Sequence, residues 1–266
     1  MGKHLVLGNG LDIHYEDRGE GDTIIFIPGL TCTTEFFVHN LEEIAAHYRV
    51  ISYDPRSQGE SSKTETGNNF IQRGRDLAEF VDALGLDDFT IAGWSLGSFD
   101  SYAYLQEHGF DRVNAFINID MPPKVIPTSN DDWAHPSLEV VRGMYLSILD
   151  SEQPYFFETY AHYMLTRGAT QEEIDWIVSE SKKTPLHIAA QIVADANLCD
   201  FSELAINLAR AKPVMHYIKQ DWSSPALAWL EKNTPSVKTR VMGGHMMFYE
   251  EPGEFNNSLL DFLATL

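Results

Sequence analysis

Two hydrophobic periods alternate along the chain. TIIFI (23–27), RVISYD (49–54), FTIAGW (89–94) and VNAFINID (113–120) are short, nearly continuous apolar runs rich in Ile and Val. That is the pattern of strands buried on both faces of a parallel sheet. Helical stripes lie between and after them. In FIQRGRDLAEFVDALG, Leu77, Phe80, Val81 and Leu84 share one face and Gly85 supplies the stop. Phe255, Leu259, Phe262, Leu263 and Leu266 form a similar stripe near the end, with Pro252 at its start. From residue 121 to about 211 the strand signal disappears and several helices are expected, among them TQEEIDWIVSESKK, capped by Thr170. Strand signal returns in KPVMHYIK (212–219) and VKTRVMG (237–243).

This alternation predicts an α/β fold: a mainly parallel central sheet flanked by helices, built from residues 1–120 and 212–266, with a helical cap inserted at 121–211. Asn9-Gly10, ahead of LDIHYED, reads as a hairpin turn. Gly8 and Gly10 do not make a dinucleotide fingerprint, because position 13 is Ile and no strand signal precedes them.

Composition narrows the partners. With 266 residues, 44% of them hydrophobic, the chain can bury one large core, or a core with a cap. The formal net charge of −20 disfavours nucleic acid and anionic membrane surfaces. No run approaches the roughly 18 apolar residues of a membrane helix, and the start lacks a signal-peptide pattern. A cytoplasmic chain acting on a small molecule is expected, as a monomer or small homo-oligomer. Cys32 and Cys199 read as free thiols. No H-E-x-x-H or tight His/Asp cluster indicates a metal.

The chemistry centres on Gly93-Trp94-Ser95-Leu96-Gly97, at the end of a strand and the start of a helix. A G-x-S-x-G turn there is sharp, and its glycines make room for neighbouring backbone, so the serine is pushed out over the sheet edge. The Leu96 N–H, at the positive end of the helix, is one candidate oxyanion donor. Leu30, from Ile27-Pro28-Gly29-Leu30 after the TIIFI strand, offers the second. Serine needs a base, and His245 follows the last strand. The acid that would hold the histidine is expected to be Asp221 in IKQDW, with Asp120, closing VNAFINID, as its competitor.

Together these segments resemble the α/β-hydrolase superfamily, and within it the small esterase and cofactor-free haloperoxidase-like branch. FIPGL resembles the oxyanion loop, with Pro28 where the family often has His. YDPRSQGESSK resembles the D-x-R-G-x-G-x-S turn, with Ser57 in place of the first Gly. GWSLGS resembles the nucleophile turn, KTPLHIAAQIVADANLCDF a cap helix region, and GGHMMFYEEPGEF the histidine loop and closing helix. The resemblance implies a Ser-His-Asp triad without a cofactor, carried by Ser95, His245 and Asp221. Many members have a glycine before the acid where this chain reads YIKQDW, which keeps Asp120 in play.

The leading expectation is a serine hydrolase of small apolar or aromatic carboxylic esters or lactones. The cap is rich in large apolar side chains, including Trp133, Met144, Tyr155, Phe156, Tyr160 and Tyr163. Phe36, Trp94 and Met246 flank the catalytic loops, and with Trp133 and Tyr160 they are the candidate substrate contacts. Two alternatives stand beside it. One is a cofactor-free dioxygenase of 3-hydroxy-4-quinolone-type substrates using the His245/Asp120 pair. The other is a non-enzymatic binding or signalling protein on the same fold.

Overall fold

Side chains of β3 (Thr23–Ile27) alternate between two apolar layers: Ile25 and Ile27 enter one, Ile24 and Phe26 the other. A strand buried on both faces reads as an unbroken apolar run, because a period of two sends neighbours to opposite sides. The same division recurs in β4 (Arg49–Tyr53), β5 (Phe89–Trp94) and β6 (Val113–Ile119), where Ile51, Ile91 and Phe116 face one layer and Val50, Ala92 and Ile117 the other.

These strands belong to an eight-stranded sheet of order β1-β2-β4-β3-β5-β6-β7-β8, seen in a computed structural model that describes residues 2–135, 137–150 and 153–266, the backbone alone at 150 and 153–155. The Tyr155 side chain lies outside the described part. β1 (Lys3–Val6) and β2 (Asp12–Arg18) are antiparallel; β7 (Val214–Ile218) and β8 (Lys238–Val241) continue the parallel part. Helices α1 (Leu41–Ala45), α2 (Phe70–Ala83) and α3 (Gly97–His108) connect the first strands. Between β6 and β7 run α4 (Leu138–Asp150), α5 (Gln153–Met164), α6 (Gln171–Ser181), α7 (Leu186–Ala196) and α8 (Ser202–Ala211). After β7 come α9 (Ser223–Asn233), α10 (Met247–Glu250) and α11 (Pro252–Leu263).

Apolar stripes explain where the helices sit. Leu77, Phe80 and Val81 of α2 join Phe99 and Leu105 of α3 and Leu208 of α8 on one sheet face. Leu41 and Ile44 of α1 join Phe255, Leu259 and Phe262 of α11 on the other. Each fully buried Phe or Leu stabilises the fold by about 1.5–3 kcal/mol through area removed from water. Local signals agree with this. Thr170 caps α6 in a reciprocal box, its hydroxyl accepting from Glu173 N–H while Glu173 accepts from Thr170 N–H at 2.9 Å. Pro252 opens α11, and Gly85 ends α2 at a φ of 64°.

Two expectations fail. β1 lies before the Asn9-Gly10 turn, where no strand was expected; it is a largely exposed edge strand, so its residues carry no apolar alternation. Leu266 lies beyond the end of α11 and is exposed, so the apolar stripe stops at Leu263.

Candidate active site

The β5–α3 turn carries Ser95 with a φ of 52°, a left-handed backbone uncommon outside glycine. Close packing enforces this. A Cβ on Gly93 would sit 2.6 Å from the Ser98 backbone, and one on Gly29 would sit 2.9 Å from the Ser95 Cβ. A Cβ on Gly97 would fall on the Ile27 carbonyl oxygen. Three glycines therefore let two loops and a helix start converge on one serine. Ser95 N–H donates to Ile119 C=O at 2.9 Å, pinning the turn to β6. The side-chain hydroxyl has no partner among the described residues, and Ser95 retains 8% exposure at a cavity of about 90 Å³.

Leu30, Leu96 and His245 line that cavity with Ser95. Among the described residues neither the Leu30 N–H nor the Leu96 N–H donates to any protein group. Buried backbone donors are almost always paired, so two free ones beside a serine form a ready cradle for a negatively charged oxygen.

His245 meets an aspartate, but it is Asp120. Its Nδ1 lies 2.6 Å from Asp120 Oδ2, and the carboxylate is fully buried. Asp120 ends β6 at a φ of 55°, which turns its side chain toward the histidine loop. Its other oxygen accepts from Trp222 Nε1–H at 2.7 Å and Lys219 N–H at 3.0 Å. A carboxylate accepts only, so Nδ1 donates in this contact, leaving Nε2 as the ring nitrogen without a partner among the described residues. The expected pairing with Asp221 does not occur. Asp221 is exposed in the short 3₁₀ turn Gln220–Trp222, while its flanking residues Lys219 and Trp222 supply the donors that hold Asp120.

His245 is braced on several sides. Its carbonyl accepts from Trp94 Nε1–H at 2.8 Å. The Tyr163 ring centroid lies 5.4 Å from the imidazole, and Tyr163 OH accepts from Lys219 Nζ at 2.9 Å. Met246 N–H donates to Met164 C=O at 3.1 Å, joining the histidine loop to the end of α5. His135, also lining the cavity, is pushed down to about 4, first by burial and then by the Lys219 charge, so it is neutral at pH 7.

Of the expected substrate contacts only Tyr160 lines the cavity. Phe36, Trp94, Met246 and Trp133 are fully buried behind it. Phe36 lies tilted between Trp94 and Trp176 with centroids 5.7 and 4.9 Å away, and Trp133 packs edge-on against His216 at 5.6 Å. Nearness in sequence to the serine, Leu30 and histidine loops thus placed Phe36, Trp94 and Met246 under the cavity rather than in front of it.

Gln58 is a residue the sequence reading missed. It sits in the 54–61 turn, fully buried, and all four of its amide bonding positions are used. Nε2 donates to Gly29 C=O at 2.9 Å and Cys32 C=O at 3.0 Å; Oε1 accepts from Thr31 N–H and from Arg73 Nη1, each at 3.3 Å. Arg73 is itself clamped to Asp100 at 2.6 and 2.7 Å. A buried ion pair thus anchors an amide that grips both ends of the Leu30 loop. Only the family turn around it marked this position in the sequence. Ser57, where that turn usually has Gly, adopts a φ of 65° and bonds Thr64 N–H at 3.0 Å.

A family profile described as alpha/beta hydrolase fold matches residues 22–252. Among curated relatives, a non-heme haloperoxidase of Rhodococcus erythropolis is 28% identical over 156 residues, 58% of this chain and 57% of that protein. The chain spans about half the length of the curated relatives it matches, 53–57%. Among solved structures, a bromoperoxidase from Bacillus anthracis superposes with a TM-score of 0.89 at 18% identity, covering 99% of this chain and 100% of that one. An esterase from Exiguobacterium antarcticum superposes with a TM-score of 0.85 at 19% identity, covering 99% and 100%.

Proposed function

The chain belongs to the α/β-hydrolase fold family, and from that premise we propose that it hydrolyses a carboxylic ester or lactone through a covalent acyl-serine. The observation that carries this reading is the 2.6 Å contact between His245 and the buried Asp120 carboxylate, in one cavity with Ser95. The esterase likeness supports ester chemistry.

In this reading His245 Nε2 takes the Ser95 proton as the serine oxygen bonds to the substrate carbonyl carbon. The carbonyl π pair moves onto oxygen, where the Leu30 and Leu96 N–H groups receive it. The imidazolium formed is stabilised by Asp120, whose charge is fixed by Trp222 and the Lys219 N–H. Collapse of the tetrahedral species breaks the bond to the leaving oxygen, which takes the proton from His245. Water, deprotonated by the same Nε2, then attacks the acyl-serine and restores Ser95. Removing one oxyanion donor in such a site costs about 10²–10³ in turnover.

The test is a nitrophenyl ester panel with a fluorophosphonate label. Labelling at Ser95, and loss of nearly all turnover in Ser95→Ala, are expected. Wild-type turnover in Ser95→Ala removes the serine from the mechanism.

The same His245–Asp120 contact also fits a second reading, a cofactor-free dioxygenase in which His245 deprotonates a 3-hydroxy-4-quinolone and no acyl-serine forms. Oxygen uptake with such a quinolone, undiminished in Ser95→Ala, would establish it instead.

A further inference from the structure

Beside the catalytic cavity lies a second, larger one. It measures about 450 Å³ against about 90 Å³ and shares with it Leu30, Met144, Tyr160, Tyr163 and Val193. Small-molecule sites run from roughly 300 to 1,000 Å³. The larger space is therefore ligand-sized by itself, whereas the space at Ser95 holds little more than a reacting group. Beyond the shared residues its lining includes Ile148 and Phe156, and among the described residues no charged side chain borders it. Its aliphatic polar groups among the described residues are Ser147 and Thr159, both exposed on the solvent side of α4 and α5.

We propose that this cleft is an acyl-chain site, and that the substrate is an ester of a medium-length, uncharged aliphatic or aryl-alkyl carboxylic acid. The assignment rests on the acyl-serine reading above. Size and polarity select the chain: a charged group would lose its hydration there and meet no charged partner among the described lining residues, while each methylene buried is worth about 0.8 kcal/mol, about fourfold in kcat/KM. Position selects the acyl side. The leaving oxygen must face His245, which the large cleft does not touch. Leu30, whose N–H faces the carbonyl oxygen, borders both spaces. The Tyr160 hydroxyl donates to Leu30 C=O at 3.2 Å, so the collar between the spaces is also tied to the oxyanion loop.

Two measurements test this. In a nitrophenyl ester series, kcat/KM should rise at least about tenfold from acetate to hexanoate. Ser147→Trp and Thr159→Trp, on different helices and filling only the large cleft, should each lower the hexanoate-to-acetate ratio about tenfold. Calorimetry with 2-octanone and 2-butanone on Ser95→Ala protein reads the same cleft without hydrolysis. The longer ketone should bind at least about tenfold tighter, and both tryptophan substitutions should abolish that difference. Ketone selectivity without ester turnover would sink the acyl-serine reading while keeping the cleft as an apolar chain site. Ester turnover with no chain-length preference, or a preference that neither substitution alters, overturns the cleft assignment and leaves the acyl-serine reading standing. A preference for chain length in the alcohol part overturns the acyl side.

Discussion

Asp120 and Asp221 show how much a single backbone angle decides. Both follow the ends of adjacent parallel strands, β6 and β7, and either suits the chain order serine, acid, histidine. What separates them is the left-handed turn at Asp120, which aims a buried carboxylate at His245. Aspartate tolerates that conformation without announcing it, so the sequence pointed to Asp221 where the backbone turn selects Asp120. Asp120→Asn should lower kcat by about 10³–10⁴, because an amide cannot hold the same imidazole tautomer. Asp221→Asn should stay near wild type; steady-state kinetics of the two substitutions decide the assignment. Gln58 acts one layer further back, through the Leu30 loop. Gln58→Leu should lower kcat about tenfold or more with KM little changed, and weaken a trifluoromethyl ketone analogue in parallel, since both report oxyanion binding. A purely structural role would lower the melting point and leave kcat of the folded fraction intact.

At the scale of elements, β3 to β7 were readable because strands covered on both faces are nearly continuous apolar runs. The two exposed edge strands divide: β8 was still legible in VKTRVMG, while β1, KHLV, carries no comparable run and is held by backbone pairing. Helix ends were readable where side chains close them, as at Thr170 and Pro252. The aromatic rings of the sheet layers and of the helices between β6 and β7 were legible as apolar but not as lining or packing, since that depends on which way neighbouring helices face. The Thr170–Glu173 box has an energetic consequence. Thr170→Ala should cost about 1 kcal/mol, read as a lower urea midpoint at unchanged m-value. α6 also carries Glu180 to Thr33, whose hydroxyl donates to it at 2.8 Å beside the oxyanion loop, so fraying at one end of α6 stays distant from the site at the other.

Across the whole molecule, pH acts through histidines in opposite senses, His216 and His135 lowered and His14 raised. His216, in the middle of the sheet, is pushed down to about 3 by burial. The unfolded chain binds a proton below about 6.5 that the folded chain refuses, so this contribution is fully present above about pH 6.5 and is lost as pH falls toward 3. His14 is raised, chiefly by its hydrogen bond to Asp54 at 2.9 Å. Its contribution is fully present below about 6.5 and is lost as pH rises through the raised folded value. Urea midpoints between about pH 4 and pH 8 should therefore flatten on the acid side in His216→Leu and on the alkaline side in His14→Asn.

The bond from Met246 N–H to Met164 C=O constrains traffic into the molecule. α5 cannot swing outward from that end without unhooking the strand of chain that carries the imidazole. Moving that end of α5 outward would pull on the loop that holds His245 against Asp120. Among the described residues α4 has no such tie to that loop, and its Leu138, Val140, Met144 and Leu149 stand in solvent.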